Sequence, residues 1–247
     1  IESLDVQMDD QNRASLSGGV ELMNRQQIDL KWSAHFGDFG SINWPASIRD
    51  LGLSTRRITT DGRLQLNGAD VKQGNFANIT GNGVAEIDDL NWRDNRIKKT
   101  SLELDLKEGK AFITKLDVRL DDQNRVGIKG DIGLAEKNPF HLDWDVDLTN
   151  LASLAPWIRS SPTTLPSAGV ITSTGKSSGN VANLMEQDFE GLQVDGAGLF
   201  NGIVWQNARL NEAAWDASYT DGRVNVRKLE VQFDDRNTIT AKGHGKL

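Results

Sequence analysis

Three stretches of the chain carry paired aspartates close to an asparagine, a set of oxygen atoms that could bind calcium. LDVQMDDQNR at 4–13 returns as LDVRLDDQNR at 116–125 and as LEVQFDDRNT at 229–238. A calcium loop usually spaces its carboxylates as D-x-D and has a glycine for the bend. The paired aspartates lack that spacing and that glycine, and they lie between two alternating apolar segments. We therefore interpret the three stretches as hairpin turns, in which Asp and Asn side chains bond to nearby backbone.

Other patterns that could do chemistry are weak. GVITSTGKSS at 169–178 resembles a phosphate-binding loop, but five residues separate its first glycine from Gly175, where that motif has four. His35, His141 and His244 are isolated and lack metal-ligand spacing. Cysteine is absent, which excludes thiolate chemistry. We expect no enzymatic activity, no metal site and no cofactor.

Composition excludes two further classes of function. The chain has 247 residues and a formal net charge of −7, whereas a protein that binds duplex DNA needs a basic surface. We therefore expect no nucleic-acid partner. No apolar run approaches the roughly 18 residues of a membrane-spanning helix.

The aspartate motif belongs to a repeat of about 113 residues. Leu4 to Leu116 is a shift of 112, and Leu116 to Leu229 is a shift of 113. The same shifts align Trp32 with Trp144, and Trp92 with Trp205. We divide the chain into one repeat at about 4–115, a second at 116–228 and the start of a third at 229–247, all within one continuous segment. Because both chain ends cut the repeat near the motif, we expect a longer array.

Apolar residues alternate with polar ones almost throughout, as in antiparallel strands with one dry face and one wet face. Turn-like segments such as DDQNR, KEG, TDG and NG separate the alternating stretches. At about 11 residues per strand, each repeat would hold about ten strands. NLASLAPWI at 150–158, with Asn150 as N-cap, predicts one short helix, and DFGSI at 38–42 predicts its counterpart. The fold class expected is all-β, with one or two short helices.

So many strands leave two arrangements open. Each repeat could fold as a separate β-sandwich, with the linker at 159–169, or one long antiparallel sheet could curl into a U-shaped groove with the dry face inside. The absence of a matching linker in the first repeat favours the groove. An apolar groove of this size must be filled, and a lipid acyl chain is the natural occupant. The residues expected to line it are Leu4, Val6, Met8, Leu30, Trp32, Leu102, Leu104, Leu106, Leu116, Val118, Leu120, Ile128, Ile132, Leu142, Trp144, Val146, Leu229, Val231 and Phe233.

Glycine-punctuated strands such as VGIKGDIGL and GVAEIDDLNW, together with the phrase FHLDWDVDLTNLASLAPWI, resemble the AsmA/TamB-like superfamily. The resemblance covers essentially the whole chain. It implies a β-groove that spans the periplasm and carries phospholipid acyl chains between inner and outer membranes, anchored to the inner membrane by a segment not present here. It also implies a possible outer-membrane barrel protein as partner.

Two alternative functions remain open at this point. A TamB-type role in translocation and assembly of outer-membrane proteins would use the same groove, and its edges could accept a client strand by β-augmentation. A tandem β-sandwich stalk or adhesin would instead bind through its surface. The sequence does not distinguish the lipid class or the direction of transport.

Overall fold

A computed structural model describes residues 3–21, 26–37, 39, 42, 53–92, 95–134, 138–154, 168–205 and 208–246. The strands in this part of the chain are β1 Ser3–Gln7, β2 Asn12–Val20, β3 Gln27–Phe36, β4 Leu53–Ser54, β5 Arg57–Asn67, β6 Thr80–Trp92, β7 Asn95–Lys107, β8 Lys110–Arg119, β9 Asn124–Gly133, β10 Pro139–Leu148, β11 Ala168–Asn180, β12 Gln193–Trp205, β13 Ala208–Thr220, β14 Arg223–Gln232 and β15 Thr238–Lys246. The helices are α1 Gly68–Lys72, α2 Val181–Met185 and a 3₁₀ helix at Leu151–Leu154.

The strands form one antiparallel sheet in which neighbours follow chain order, with the two-residue β4 pairing beside the end of β6. The predicted fold class, an all-β antiparallel sheet with short helices, is confirmed. No helix within the described ranges has the length and apolar content that crossing a bilayer requires.

The residues group into two compact units. Ile1–Leu120 and Lys129–Asn138 form the first, and Asp121–Ile128 and Pro139–Leu247 form the second. Strand β9 therefore contributes its beginning to the second unit and its end to the first. The linker considered for tandem sandwiches, 159–169, lies mostly outside the described residues, and β11 begins at its end.

The 113-residue repeat is visible in the strand boundaries. Strands β6, β7 and β8 begin and end 113 residues before β12, β13 and β14, and α1 stands at the same distance from α2. Among the described residues, one repeat holds six strands, β8 to β13, before β14 begins the next, and not the ten expected. The expectation was wrong because most of these strands run for 10 to 13 residues.

Some of the turn-like segments predicted from the sequence form hairpin turns, and others do not. Glu108–Gly109 and Asp221–Gly222 have positive φ angles and connect β7 to β8 and β13 to β14 as two-residue hairpins. The Asn-Gly pairs do not form hairpin turns. Asn67 is the N-cap of α1, where its side chain accepts a hydrogen bond from the Ala69 amide at 2.9 Å. Asn82–Gly83 lies inside β6, because pairing on both sides overrides local turn preference.

Of the two predicted short helices, one is described by the structure in part. Leu151–Leu154 forms a 3₁₀ helix with Leu151 and Leu154 buried, and the rest of the predicted segment, 155–158, lies outside the described residues. Its counterpart at 38–42 is described at Phe39 and Ile42 alone.

The paired-aspartate stretches are hairpin turns, as predicted. Asp9 Oδ1 accepts hydrogen bonds from the backbone amides of Gln11 and Asn12 at 2.7 and 2.8 Å. Asn12 Nδ2 in turn donates to Asp9 Oδ2 at 2.6 Å. The same three bonds recur at Asp121 and at Asp234. The first aspartate of each pair therefore holds the turn between two strands.

The asparagine of the motif does more than turn the chain. Asn12 and Asn124 are the most deeply buried side chains described, each 1% exposed. Asn124 Nδ2 lies 2.8 Å from the Asn150 carbonyl and 2.7 Å from Ser153 Oγ, and Asn124 Oδ1 accepts the Asn150 amide at 3.0 Å. Ser153 Oγ donates to Asp121 Oδ2. This clamp of Asp121, Asn124, Asn150 and Ser153 fastens the hairpin turn to the 3₁₀ helix.

Asn124→Ala should lower the free energy of unfolding by about 2 kcal/mol, because the Asn150 amide and carbonyl lose a buried partner. Asn237→Ala is the matched control, since Asn237 makes the same turn bond but is exposed. Chemical denaturation followed by circular dichroism measures both. Equal losses in the two variants would contradict a clamping role for Asn124.

The clamp also predicts a dependence of stability on pH. Burial raises the pKa of Asp121, but hydrogen bonds from Ser153, Gln123 and Asn124 outweigh it, and the pKa lies below its ordinary value. A lowered folded-state pKa stabilises the protein above the ordinary value of about 3.9, and this contribution disappears as the pH falls through the folded value.

Asp121→Asn should therefore flatten the loss of unfolding free energy between about pH 4 and pH 2. Denaturation midpoints recorded across this range test it, with Asp147→Asn, an exposed residue of β10, as the charge-matched control. A slope as steep as that of the unmodified chain would rule out the contribution.

Candidate functional site

In the first unit, strand register brings nine of the predicted lining residues to one face. Leu16 on β2 pairs with Leu4 and with Trp32, and Gly62 links Trp32 to Gly83 and then to Leu104. Residues directly opposite in antiparallel strands point to the same side of a sheet. The predicted residues on this face are Leu4, Val6, Leu30, Trp32, Leu102, Leu104, Leu106, Leu116 and Val118.

The second unit repeats the arrangement. Trp144 pairs with Gly175, which pairs with Gly196, which pairs with Ala217. The predicted residues on this face are Leu142, Trp144, Val146, Leu229 and Val231. We call this face of each unit the dry face and the other the wet face.

Five of the predicted lining residues do not belong to the paired positions of the dry face described above. Met8, Leu120 and Phe233 were expected in strands but lie just beyond the ends of β1, β8 and β14, where the turn motif begins. Their backbones continue the ladder, since the Met8 and Phe233 amides donate to carbonyls of the motif asparagines. Ile128 and Ile132 are half-buried on β9, one in each unit.

The dry face carries no charge in its paired rows. Across the first unit, the rows beside Trp32 hold Leu30, Leu64, Gly81, Leu106 and Ala111 on one side and Ala34, Thr60, Ala85, Leu102 and Leu116 on the other. The single polar side chain of these rows, Thr60, accepts a hydrogen bond from the Trp32 indole at 3.2 Å. The face therefore offers apolar contact and little else.

These apolar side chains stay partly open to solvent. Leu4 and Val6 are 50% and 40% exposed, and the dry-face residues of β5 and β7 are half-buried. In the part of the chain that the structure describes, the strands contact mainly their neighbours in the sheet. The buried apolar residues there are Ile79, Phe140, Leu151, Leu154, Ile203 and Ala213. As far as the described residues show, each unit is thus a single layer without a second sheet over its dry face.

The wet face carries ion pairs between strands. Arg63 on β5 binds Asp29 on β3 through two hydrogen bonds, at 2.6 and 3.0 Å. These bonds, with one from Gln65, lower the pKa of Asp29 to about 2. In the second unit, Arg227 donates hydrogen bonds to Asp195 and Asp216, and these bonds raise the pKa of Arg227. The two faces of each unit therefore differ: the dry face is apolar, and the wet face carries ion pairs.

Motifs that could carry catalysis lie within regular strands. The stretch that resembles a phosphate-binding loop falls inside β11, as does GKSSG at 175–179, which fits the pattern of a nucleophile elbow. An elbow needs a sharp strand-to-helix turn, whereas β11 continues through Gly179. Among the described residues, no group of three or more His, Asp or Glu could hold a metal ion.

The sequence-based prediction missed the glycines beneath the tryptophans. Gly62 and Gly83, and their equivalents Gly175 and Gly196, lie on the dry face in contact with an indole. It also missed Trp215, which lies against Gly198. The signal was present, because both glycine pairs recur at a shift of 113.

An uncovered dry face predicts a small penalty for truncating its side chains. Leu104→Ala should cost about 1 kcal/mol of unfolding free energy, because the Leu104 side chain is only partly buried. Leu151→Ala should cost about 3 kcal/mol, since Leu151 is 3% exposed. Urea denaturation of both variants measures the difference. Equal costs would mean that Leu104 lies in an ordinary core.

The chain was compared with protein-family models, curated proteins and solved structures, and none of them matches it.

Proposed function

We propose that this chain is a segment of a lipid-conducting β-groove of the AsmA/TamB-like kind. In this proposal, phospholipid acyl chains lie on the dry face while their head groups remain in water. The observation that carries the proposal is the uncharged, half-exposed dry face of each unit, which no second layer covers among the described residues.

The hydrophobic effect makes such a face unfavourable in water. Soluble monomers rarely expose contiguous apolar patches of more than a few hundred Å². The dry face of the first unit extends across seven paired strands, β1 to β3 and β5 to β8. An apolar occupant would remove this surface from water, and each buried methylene group contributes about 0.8 kcal/mol.

The chemistry of the face favours an acyl chain as that occupant. Its paired rows contain no charged side chain, so they offer no partner for a head group or an acidic peptide. The Trp32 indole N–H is already bonded to Thr60. A flexible, uncharged chain needs no polar partner. Because the same apolar face recurs in the next repeat, no single position holds the lipid in a deep free-energy minimum.

A tandem β-sandwich stalk would use the same dry residues differently. In a sandwich, a second sheet packs on the first at about 10 Å. The strand contacts within each unit, which run mainly between sheet neighbours, support the groove over the sandwich.

The cellular setting proposed is the periplasm, between inner and outer membranes, with attachment to the inner membrane through another segment. This part of the proposal rests on the family resemblance.

A photo-crosslinking amino acid at Val146, on the dry face, should capture phospholipid when the purified chain is mixed with phospholipid vesicles. The same amino acid at Asp147 is the matched control, because Asp147 is the next residue of β10 and is exposed on the wet face. Mass spectrometry of the crosslinked product identifies the lipid.

Capture at 146 well above capture at 147 is the expected result. Equal capture at the two positions, or none at either, would count against lipid binding on the dry face. Crosslinks from 146 to other proteins in cells, without lipid, would favour the role in protein assembly.

A further inference from the structure

Two tryptophans on the dry face lie over glycines of the neighbouring strands. Trp32 on β3 covers Gly62 on β5 and approaches Gly83 on β6. A methyl group at Gly62 would fall 2.2 Å from the Trp32 ring. Trp144 on β10 lies in the same way over Gly175 and Gly196, where a methyl group would fall 2.3 and 2.9 Å from its ring.

Three of these glycines, Gly62, Gly175 and Gly196, are required for space and not for backbone conformation. The glycines with positive φ in the described chain include Gly109 and Gly222, but none of the four beneath the tryptophans. An L-residue could adopt their strand backbone, but at Gly62, Gly175 and Gly196 its Cβ would occupy the place of the indole, whereas at Gly83 it would make ordinary contact. A glycine inside a strand commonly marks such a close approach.

Each indole therefore occupies the space that a side chain at the glycine beneath it would fill. One side of the ring contacts glycine backbone, and both tryptophans are only half-buried. Because adjacent strands lie about 4.8 Å apart, a ring resting on two glycine strands covers a patch about 10 Å wide. The two patches are equivalent in the repeat, since Trp32 and Trp144 are 112 residues apart.

We infer that these tryptophan–glycine patches form the floor on which an acyl chain rests, and that the glycines set its height. The inference rests on the proposed function and adds to it the residues that determine clearance. A bulkier residue under the ring would lift the indole into the path of the chain. An uncharged, flexible hydrocarbon is the ligand that fits, because Trp32 has already used its N–H.

An ordinary structural role makes a different prediction. If the indoles only compensate for glycine in a strand, lifting one ring would change stability but not the capture of lipid by the folded protein. The two roles are therefore distinguished by lipid contact in variants that fold, and not by stability.

The chain offers a matched pair for this test. At Gly196 an added methyl group would lie 2.9 to 3.0 Å from the Trp144 ring, so the ring must move. At Gly83, the equivalent position of the first repeat, the nearest Trp32 atom lies at 3.4 Å, which is ordinary contact. Gly196→Ala should raise its indole, and Gly83→Ala should leave its indole in place.

With the crosslinking amino acid at Val146, Gly196→Ala should reduce lipid capture about tenfold, as expected for lost contact with roughly two methylene groups. Gly83→Ala should not change capture at that position. Adding Trp144→Phe to Gly196→Ala should restore capture, because the smaller ring fits above the methyl group. A folded Gly196→Ala variant that captures lipid as well as the unmodified chain would overturn the inference.

A second measurement does not depend on the folding of Gly196→Ala. Phospholipids with brominated acyl chains should quench fluorescence of the unmodified chain more than that of Trp144→Phe, because bromine quenches an indole that it touches. Equal fractional quenching would overturn the inference even where capture at Val146 upholds the proposed function. Absence of both capture and quenching would overturn the two together.

Discussion

The structure depends on one constraint: each unit is a single layer of sheet whose strand pattern makes one face apolar. Most domains satisfy that pattern by packing a second layer over the apolar face. Here the described strands contact mainly their sheet neighbours, and few apolar side chains are fully buried. The units are therefore held together by long backbone ladders and by polar contacts at the strand ends, more than by a hydrophobic core.

The local devices follow from that constraint. Ion pairs such as Arg63 with Asp29 join strands on the wet face, where each exposed pair adds only a little stability. The clamp around Asn124 fastens a turn to the neighbouring 3₁₀ helix and contains the deepest side chain of its unit. On the dry face, the Trp144 ring packs over Gly175 and Gly196 of the neighbouring strands. The ion pairs, the clamp and the tryptophan–glycine contacts stabilise a sheet that, among the described residues, has no second layer.

The repeat supplies the same solutions more than once. The strand boundaries recur at 113 residues, and so do the glycine pairs beneath Trp32 and Trp144. Such a repeated apolar face, with no charged residue in its paired rows, is consistent with a surface along which an uncharged chain moves. A binding site for one small ligand would more commonly place a few polar groups at defined positions.

Sequence reasoning succeeded where one local pattern decided the result. The alternation placed Leu104 and Val146 on the dry face, and the aspartate motif predicted the hairpin turn at Asp9. It failed where neighbouring strands decided. Asn82–Gly83 has the composition of a turn, yet pairing on both sides makes it part of β6. Met8 continues the apolar alternation, yet the Asp9 turn begins there and ends the strand.

By itself, the sequence determined the all-β class, the length of the repeat and the parity of each strand, because these depend on the order of apolar and polar residues along the chain. Only the tertiary structure decided which strands pair, that Asn124 is buried, and that Trp144 rests on Gly175 and Gly196. The physical reason is distance along the chain. Register brings together residues 26 to 52 positions apart, and no local pattern specifies which glycine will lie beneath which indole.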